Sequence, residues 1–240
     1  MLSILNPDVD GGFDLQNAAA VFKTHGHVRL AGVMVPERAE AIAKELLALQ
    51  DWALSYGVTE GVGRVNPAEI ASWPEDTRKA FNQTLVESAR KGDGFAYFSS
   101  TLDGSDGQGP LPPSAKAMGS ELMDPALLAF INSLTGLTGD VSRVDASVTQ
   151  SRPGHYLTRH TDKPQGQDRK LAFVWGLTPN WHPDWGGLLQ FYQPDGSPNL
   201  AFAPGLNTLD LFSVEKIHAV TYVAPFAGGP RQAVSGWYLG

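Results

Sequence analysis

The 240-residue chain contains no cysteine. That single absence excludes disulfide stapling, thiolate metal sites and cysteine nucleophiles together. Clustered positive charge is lacking as well: 18 Lys and Arg face 25 Asp and Glu, for a formal net charge of -7, and no basic run occurs. A chain of this balance offers no phosphate-seeking face, so neither nucleic acid nor an anionic membrane is expected as a partner. The opening MLSILNPDVDGG has no basic leader region and no apolar run long enough for a signal peptide or a span, which makes the cytoplasm the default expectation. Internal repeats and low-complexity runs are missing too. What remains, 42% hydrophobic residues and 18% charged, suits one folded domain.

The first half reads as helical. Pro36 stands where a first turn would begin, and Ala39, Ile42, Ala43, Leu46 and Leu49 follow the spacing of an amphipathic helix. A short alternating stretch before it, His27 to Leu30, predicts an early strand. A second helix is expected to start at Ser72, with Glu75 in capping-box position, Ala80, Phe81, Leu85 and Ala89 as its stripe and Gly92 as its end. A third has Asp124 as cap, Pro125 in its first turn, Leu127, Phe130, Ile131 and Leu134 inward, and Gly136 as its stop. Between them, 59–67 and 101–114 read as surface loops, with a mobile lid over a site as the functional alternative.

From Val141 the period becomes two. Val144, Ala146 and Val148 alternate with polar neighbours, and about seven further short apolar or alternating stretches follow, punctuated by Pro, Gly, Asn and Asp. No helical stretch separates them. The expected fold is therefore α+β with a mainly β core: a jelly roll, or double-stranded β-helix, over 141–240, supported by a helix-rich N-terminal layer over 1–140, the whole forming one domain.

Within YLTRHTD, alternation places Tyr156, Thr158, His160 and Asp162 on one strand face. A histidine and a carboxylate two residues apart need one more histidine to complete the three-ligand face of non-haem iron sites. Six histidines make such a pair a chance event in roughly one chain in four, so context has to decide. His218, directly after the apolar strand Thr208 to Phe212, is the candidate third ligand. His25 and His27 lie in a glycine-broken turn, His155 points away from His160 by the same alternation, and His182 sits in a WHPDW turn. Arg231 opens the last strand and shares a face with Ala233, Ser235 and Trp237. A buried guanidinium requires an anion, either one of the chain's own carboxylates or a ligand's.

The order His-x-Asp, a buried strand, GGLLQFY, a distal His, then PRQAVSGWYLG resembles the Fe(II)/2-oxoglutarate-dependent oxygenase superfamily in its prolyl hydroxylase branch. It is most similar to the ribosomal-protein prolyl hydroxylase catalytic domain, through YLTRHTD, GGLLQFY and VSGWYLG, over roughly 141–240. The resemblance implies iron ligation by His160, Asp162 and His218, and an Arg231 that grips the distal carboxylate of 2-oxoglutarate. It also implies Tyr156 lining the cosubstrate pocket and Ser235 supplying a small hydroxyl near it. Cofactors so implied are Fe(II), 2-oxoglutarate as cosubstrate and dioxygen, with ascorbate as an auxiliary. Asp162 matters for reaction type, because halogenating relatives replace that carboxylate with a small residue.

The match departs from the family at three points. Gly176 stands where hypoxia-sensing relatives carry a cosubstrate-binding Tyr, Ala233 where many carry Ser, and the loop from His218 to Arg231 is longer than usual. The expected activity is hydroxylation of an unactivated C–H bond with no protein acid or base required. A prolyl residue of a protein is the expected substrate, and a free amino acid or other small metabolite the alternative. Two rivals remain: a cupin-like metalloenzyme that does without 2-oxoglutarate, and a jelly-roll binding module whose three polar residues are mere surface.

Overall fold

The computed structural model describes residues 4–6, 14–107, 109–136, 141–163, 166 and 168–240. Most of the N-terminal stretch on which the absence of a leader was read lies outside them. Among the described residues no helix is long and apolar enough to cross a membrane.

Four of the helices form a layer against one sheet face: α1 (Leu15–His25), α2 (Pro36–Ala48), α5 (Pro113–Glu121) and α6 (Pro125–Thr135). The stripes expected for α2 and α6 are buried, whereas of Ala80, Phe81, Leu85 and Ala89 only Leu85 is. Ala39, Ile42, Ala43 and Leu46 of α2 and Leu127, Phe130, Ile131 and Leu134 of α6 join one core with Leu171, Phe173, Trp175, Leu209 and Leu211. Asp124 caps α6 by accepting from the Ala126 N–H at 2.8 Å, and Gly136 closes it in the left-handed conformation at φ 63°.

The start expected at Ser72 is not found. A short α3 (Pro67–Ser72) ends there, and α4 (Glu75–Arg90) begins after Pro74. The Ser72 hydroxyl donates back to the Glu69 carbonyl at 2.7 Å, a helix-interior bond rather than a cap. Pro74, with no N–H to contribute, makes the break.

The strands are β1 (His27–Ala31), β2 (Ala53–Val58), β3 (Gly61–Val65), β4 (Phe95–Thr101), β5 (Arg143–Ser151), β6 (Tyr156–His160), β7 (Arg169–Leu177), β8 (Leu189–Tyr192), β9 (Pro198–Phe202), β10 (Leu206–Phe212), β11 (His218–Val220) and β12 (Arg231–Leu239). They form one curled antiparallel sheet in the order β1-β10-β7-β12-β5-β4-β6-β11-β8-β9, with β2 on β4 and β3 on β2. This is the expected double-stranded β-helix, with one correction. The change of period near residue 140 does not separate helices from strands, because β1 to β4 belong to the same sheet. The segment 59–67, read as a loop, is a hairpin turn, the strand β3 and the start of α3. Glycines at 57, 61 and 63 diluted its alternation.

The sheet's two edges meet at a seam closed by side chains. His27 of β1 stacks on Phe191 of β8 at 4.8 Å, and Arg29 of β1 lies over the Phe202 ring of β9 at 4.4 Å. Arg29 also donates to the Ala203 carbonyl at 2.6 Å. The barrel interior so enclosed holds the site.

Candidate metal centre and anion cradle

Residue spacing alone put His160 and Asp162 together; the sheet brings the third group. β11 pairs with β6 so that His218 faces His160 directly. The His160 Nε2 lies 3.6 Å from one Asp162 oxygen and the His218 Nε2 3.5 Å from the other. The three ligand atoms fall within 4.8 Å of one another. Both rings are oriented by carbonyls two residues back: His160 Nδ1 is 2.9 Å from the Thr158 oxygen, and His218 Nδ1 3.0 Å from the Lys216 oxygen. A carbonyl can only accept, so each Nδ1 carries the proton and each Nε2 presents a lone pair toward Asp162. Two neutral imidazoles and one carboxylate with free electron pairs converging on one point are a donor set that fits Fe(II).

The electrostatics agree. Burial opposes ionisation of Asp162, but the two histidines beside it outweigh burial and hold the carboxyl below its usual value. Burial, with His160 beside it, pushes His218 down to about 4, so it is a neutral ligand near neutral pH. His160 is the accessible member, its side chain 32% exposed against 6% for the other two.

The triad opens into a cavity of about 460 Å³ that runs inward to Arg231. Arg231 is buried, and among the described residues its guanidinium makes no hydrogen bond or ion pair; its Nε is an orphaned donor. Burial lowers its pKa to about 10, with Asp210 the strongest charge opposing the shift. The guanidinium therefore stays charged and lacks a partner, as a cradle for a ligand carboxylate should. Its stem passes beside Gly187, where a Cβ would come within 3.3 Å of Arg231 Cδ and 3.2 Å of the Trp181 ring; with φ at +64°, the position suits glycine twice over.

Ser235 lines the cavity, level with Val174 of β7 and Ser147 of β5. Ala233 is buried in the same strand, outside the residues lining that cavity. Gly176 has no room for a side chain, since a Cβ would run into Thr208 Oγ1 and the Gly205 carbonyl.

Tyr156 lines the same cavity, with its hydroxyl engaged elsewhere. Its backbone register pairs it with Ala96 of β4, in the cluster under α4, and its hydroxyl donates to the Leu85 carbonyl at 2.9 Å. The cause is an extra residue in β6: Val220 faces Leu157 while His218 faces His160, so three steps on one strand match two on the other. Such a bulge breaks alternation, and Tyr156 borders the cavity with its hydroxyl turned out of it.

Among the cavity residues that sequence reasoning missed, three bear on the chemistry. Tyr97, on the β4 strand that was not foreseen, lies within electrostatic reach of both Asp162 and Arg231; burial first, then Asp162, raises its pKa. Thr149 lines the wall from β5. Arg169 stands at the mouth with its guanidinium 3.6 Å from the Trp237 ring centroid, and it has no ion-pair partner among the described residues. Trp237, by contrast, was flagged by its shared face with Arg231 and does line the cavity.

Residues 146–239 match the family model of the 2OG-Fe(II) oxygenase superfamily. No curated protein matches the chain. Among solved structures, a prolyl-4-hydroxylase of Pseudomonas putida is similar at TM-score 0.61 and 20% identity, covering 94% of this chain and 98% of that one. A prolyl hydroxylase from Trichoplax adhaerens, in complex with a peptide fragment of the hypoxia inducible factor oxygen degradation domain, gives 0.59 and 16%, covering 94% and 88%. The non-heme alpha ketoglutarate dependent epimerase SnoN from nogalamycin biosynthesis gives 0.56 and 16%, covering 94% and 82%. At these identities the three likenesses establish the fold.

Proposed function

We propose, from the premise that the chain is an enzyme of the 2OG-Fe(II) oxygenase superfamily, that it hydroxylates an unactivated C–H bond, and that a prolyl residue of a protein is its substrate. His160, Asp162 and His218 would hold the metal, and Arg231 the far carboxylate of 2-oxoglutarate, with Ser235 beside it. The observation that carries the reading is the pairing of an open donor triad with a buried, unpartnered guanidinium at the inner end of the same cavity. A cupin-like site or a binding module has no use for that second feature.

Bound ferrous iron, with 2-oxoglutarate and dioxygen consumed to succinate and carbon dioxide, supplies the oxidising power for C–H hydroxylation. The chain supplies geometry. The Thr158 and Lys216 carbonyls fix both ring orientations, the low pKa of Asp162 keeps an anion at the metal, and the apolar walls around Phe212 and Leu189 exclude water. No side chain is required to move a proton.

A protein substrate is supported by the exposed approach to His160 and by the hairpin β2–β3 at the rim, where Val62 is 81% exposed beside the cavity. Prolyl hydroxylases among the similar structures support the residue type. A free amino acid is the second reading, favoured by the unpaired Arg169 at the mouth, which could take a substrate carboxylate. Incubating a proteome extract and a metabolite extract with and without enzyme, and searching both for a one-oxygen gain, decides between them. Gain on proline-containing peptides supports the proposal; gain confined to small molecules refutes the protein substrate.

A further inference from the structure

Behind the cradle lies a second arginine that neither the triad nor the cavity wall accounts for. Arg29 of β1 faces Asp210 of β10 in register and grips both its oxygens: Nε to Oδ1 at 2.7 Å and a terminal nitrogen to Oδ2 at 2.7 Å. Asp210 is 2% exposed. Across the ladders Asp210 stands level with Val174, and Val174 with Ser235 of β12. The inner face of β12 that carries Ser235 and Arg231 is thus the face Asp210 looks toward, and Asp210 is the carboxylate whose charge acts most on Arg231. Two guanidinium groups share one carboxylate here, and the carboxylate is spent on Arg29.

We propose that Arg29 is a positioning residue for cosubstrate binding: by holding both Asp210 oxygens at the seam, it keeps that carboxylate from pairing with Arg231 and so leaves the cradle open. The proposal rests on the reading of Arg231 as the 2-oxoglutarate anchor. Its logic is charge balance. Arg29, Asp210 and Arg231 leave one positive charge surplus in the barrel, which a ligand carboxylate neutralises. Without Arg29 the three-residue set becomes a neutral Asp210–Arg231 pair, and the ligand has to displace an internal ion pair to bind. The bidentate fork matters, because a carboxylate held at two points cannot turn one oxygen toward a neighbour.

The test is 2-oxoglutarate binding to the Mn(II)-loaded protein by calorimetry, which needs no turnover. Arg29→Gln is expected to raise Kd by about tenfold or more, and Arg29→Gln with Asp210→Asn to restore most of the affinity, since an amide cannot compete for Arg231 with a charge. A merely structural role for Arg29 predicts no such rescue, because the double variant loses the ion pair just as fully. Should Arg29→Gln not fold, Arg29→Lys serves: it keeps the charge but holds one oxygen at a time, and the same rise relieved by Asp210→Asn is required. An unchanged Kd in the Arg29 variants, or a raised Kd that Asp210→Asn fails to relieve, overturns the inference. Arg231→Ala separates the two levels: if it too leaves Kd unchanged, the reading of Arg231 itself has failed.

Discussion

His218 stands directly opposite His160 across the β6–β11 ladder, with the ring centroids 4.2 Å apart and Asp162 between their Nε2 atoms. Two residues far apart in sequence are thereby held by backbone pairing, while the third ligand follows two residues later. The candidate metal centre is built into the sheet, and its geometry is as rigid as that ladder.

Removing one imidazole leaves two donors, too few to retain iron against solvent. With Fe(II) and 2-oxoglutarate mixed anaerobically, the wild-type protein is expected to give a weak visible charge-transfer band, and His160→Ala to give none. Absence of the band from well-folded, metal-loaded wild type would sink the assignment.

Arg231→Lys keeps a charge but loses the fork. The expected result is a KM for 2-oxoglutarate raised by about tenfold or more, with Mn(II) affinity unchanged, because a charge-assisted bond of this kind contributes about 1.5–3 kcal/mol. Equal losses of metal and cosubstrate binding would place Arg231 in the fold rather than in the cradle.

Gly176→Ala puts a Cβ against Thr208 Oγ1 and the Gly205 carbonyl, both on the strand-to-strand contact with β10. Overpacking of this type costs about 1–3 kcal/mol, to be read as a lowered midpoint in urea. A midpoint unchanged within error would mean that β10 yields without strain.

Acid should loosen the metal-free protein before its carboxylates titrate. Burial holds His155 down at about 4 in the fold, against 6.5 for the unperturbed imidazole. Between those values the unfolded chain binds a proton that the folded one refuses, so stability is intact above pH 6.5 and falls as pH drops toward 4. Given the partial exposure of the ring, the loss attributable to His155 is on the order of 2 kcal/mol. Urea midpoints measured from pH 7.5 to 5 should fall in wild type and fall less in His155→Asn; parallel slopes would rule the residue out.

Arg169→Ala addresses the substrate. If a protein prolyl residue is the acceptor, contacts outside the mouth remain and activity on a long peptide should survive better than activity on a short one. A free amino acid would lose the cation that takes its carboxylate at the mouth, and turnover would collapse. Comparing kcat/KM on the two classes of substrate checks this.

Much of the site was legible because it is short-range or ordered along strands. The one-residue gap of His160 and Asp162, the caps of α6, and an arginine opening an apolar last strand are local facts that any fold must honour. The sequence by itself determined the donor chemistry, the charge balance and the alternation that builds a mainly β core. It could not determine which side of β6 Tyr156 faces, since a bulge depends on how β11 pairs and not on β6 alone. Nor could it bring Tyr97 or Arg29 to the barrel interior. Their strands come well before the site's own in the chain, and only the closed sheet sets Tyr97 near Arg231 and Arg29 on Asp210, 181 residues away in sequence. Side-chain facing is a property of a strand and its partners together, and the partners are chosen by the tertiary structure.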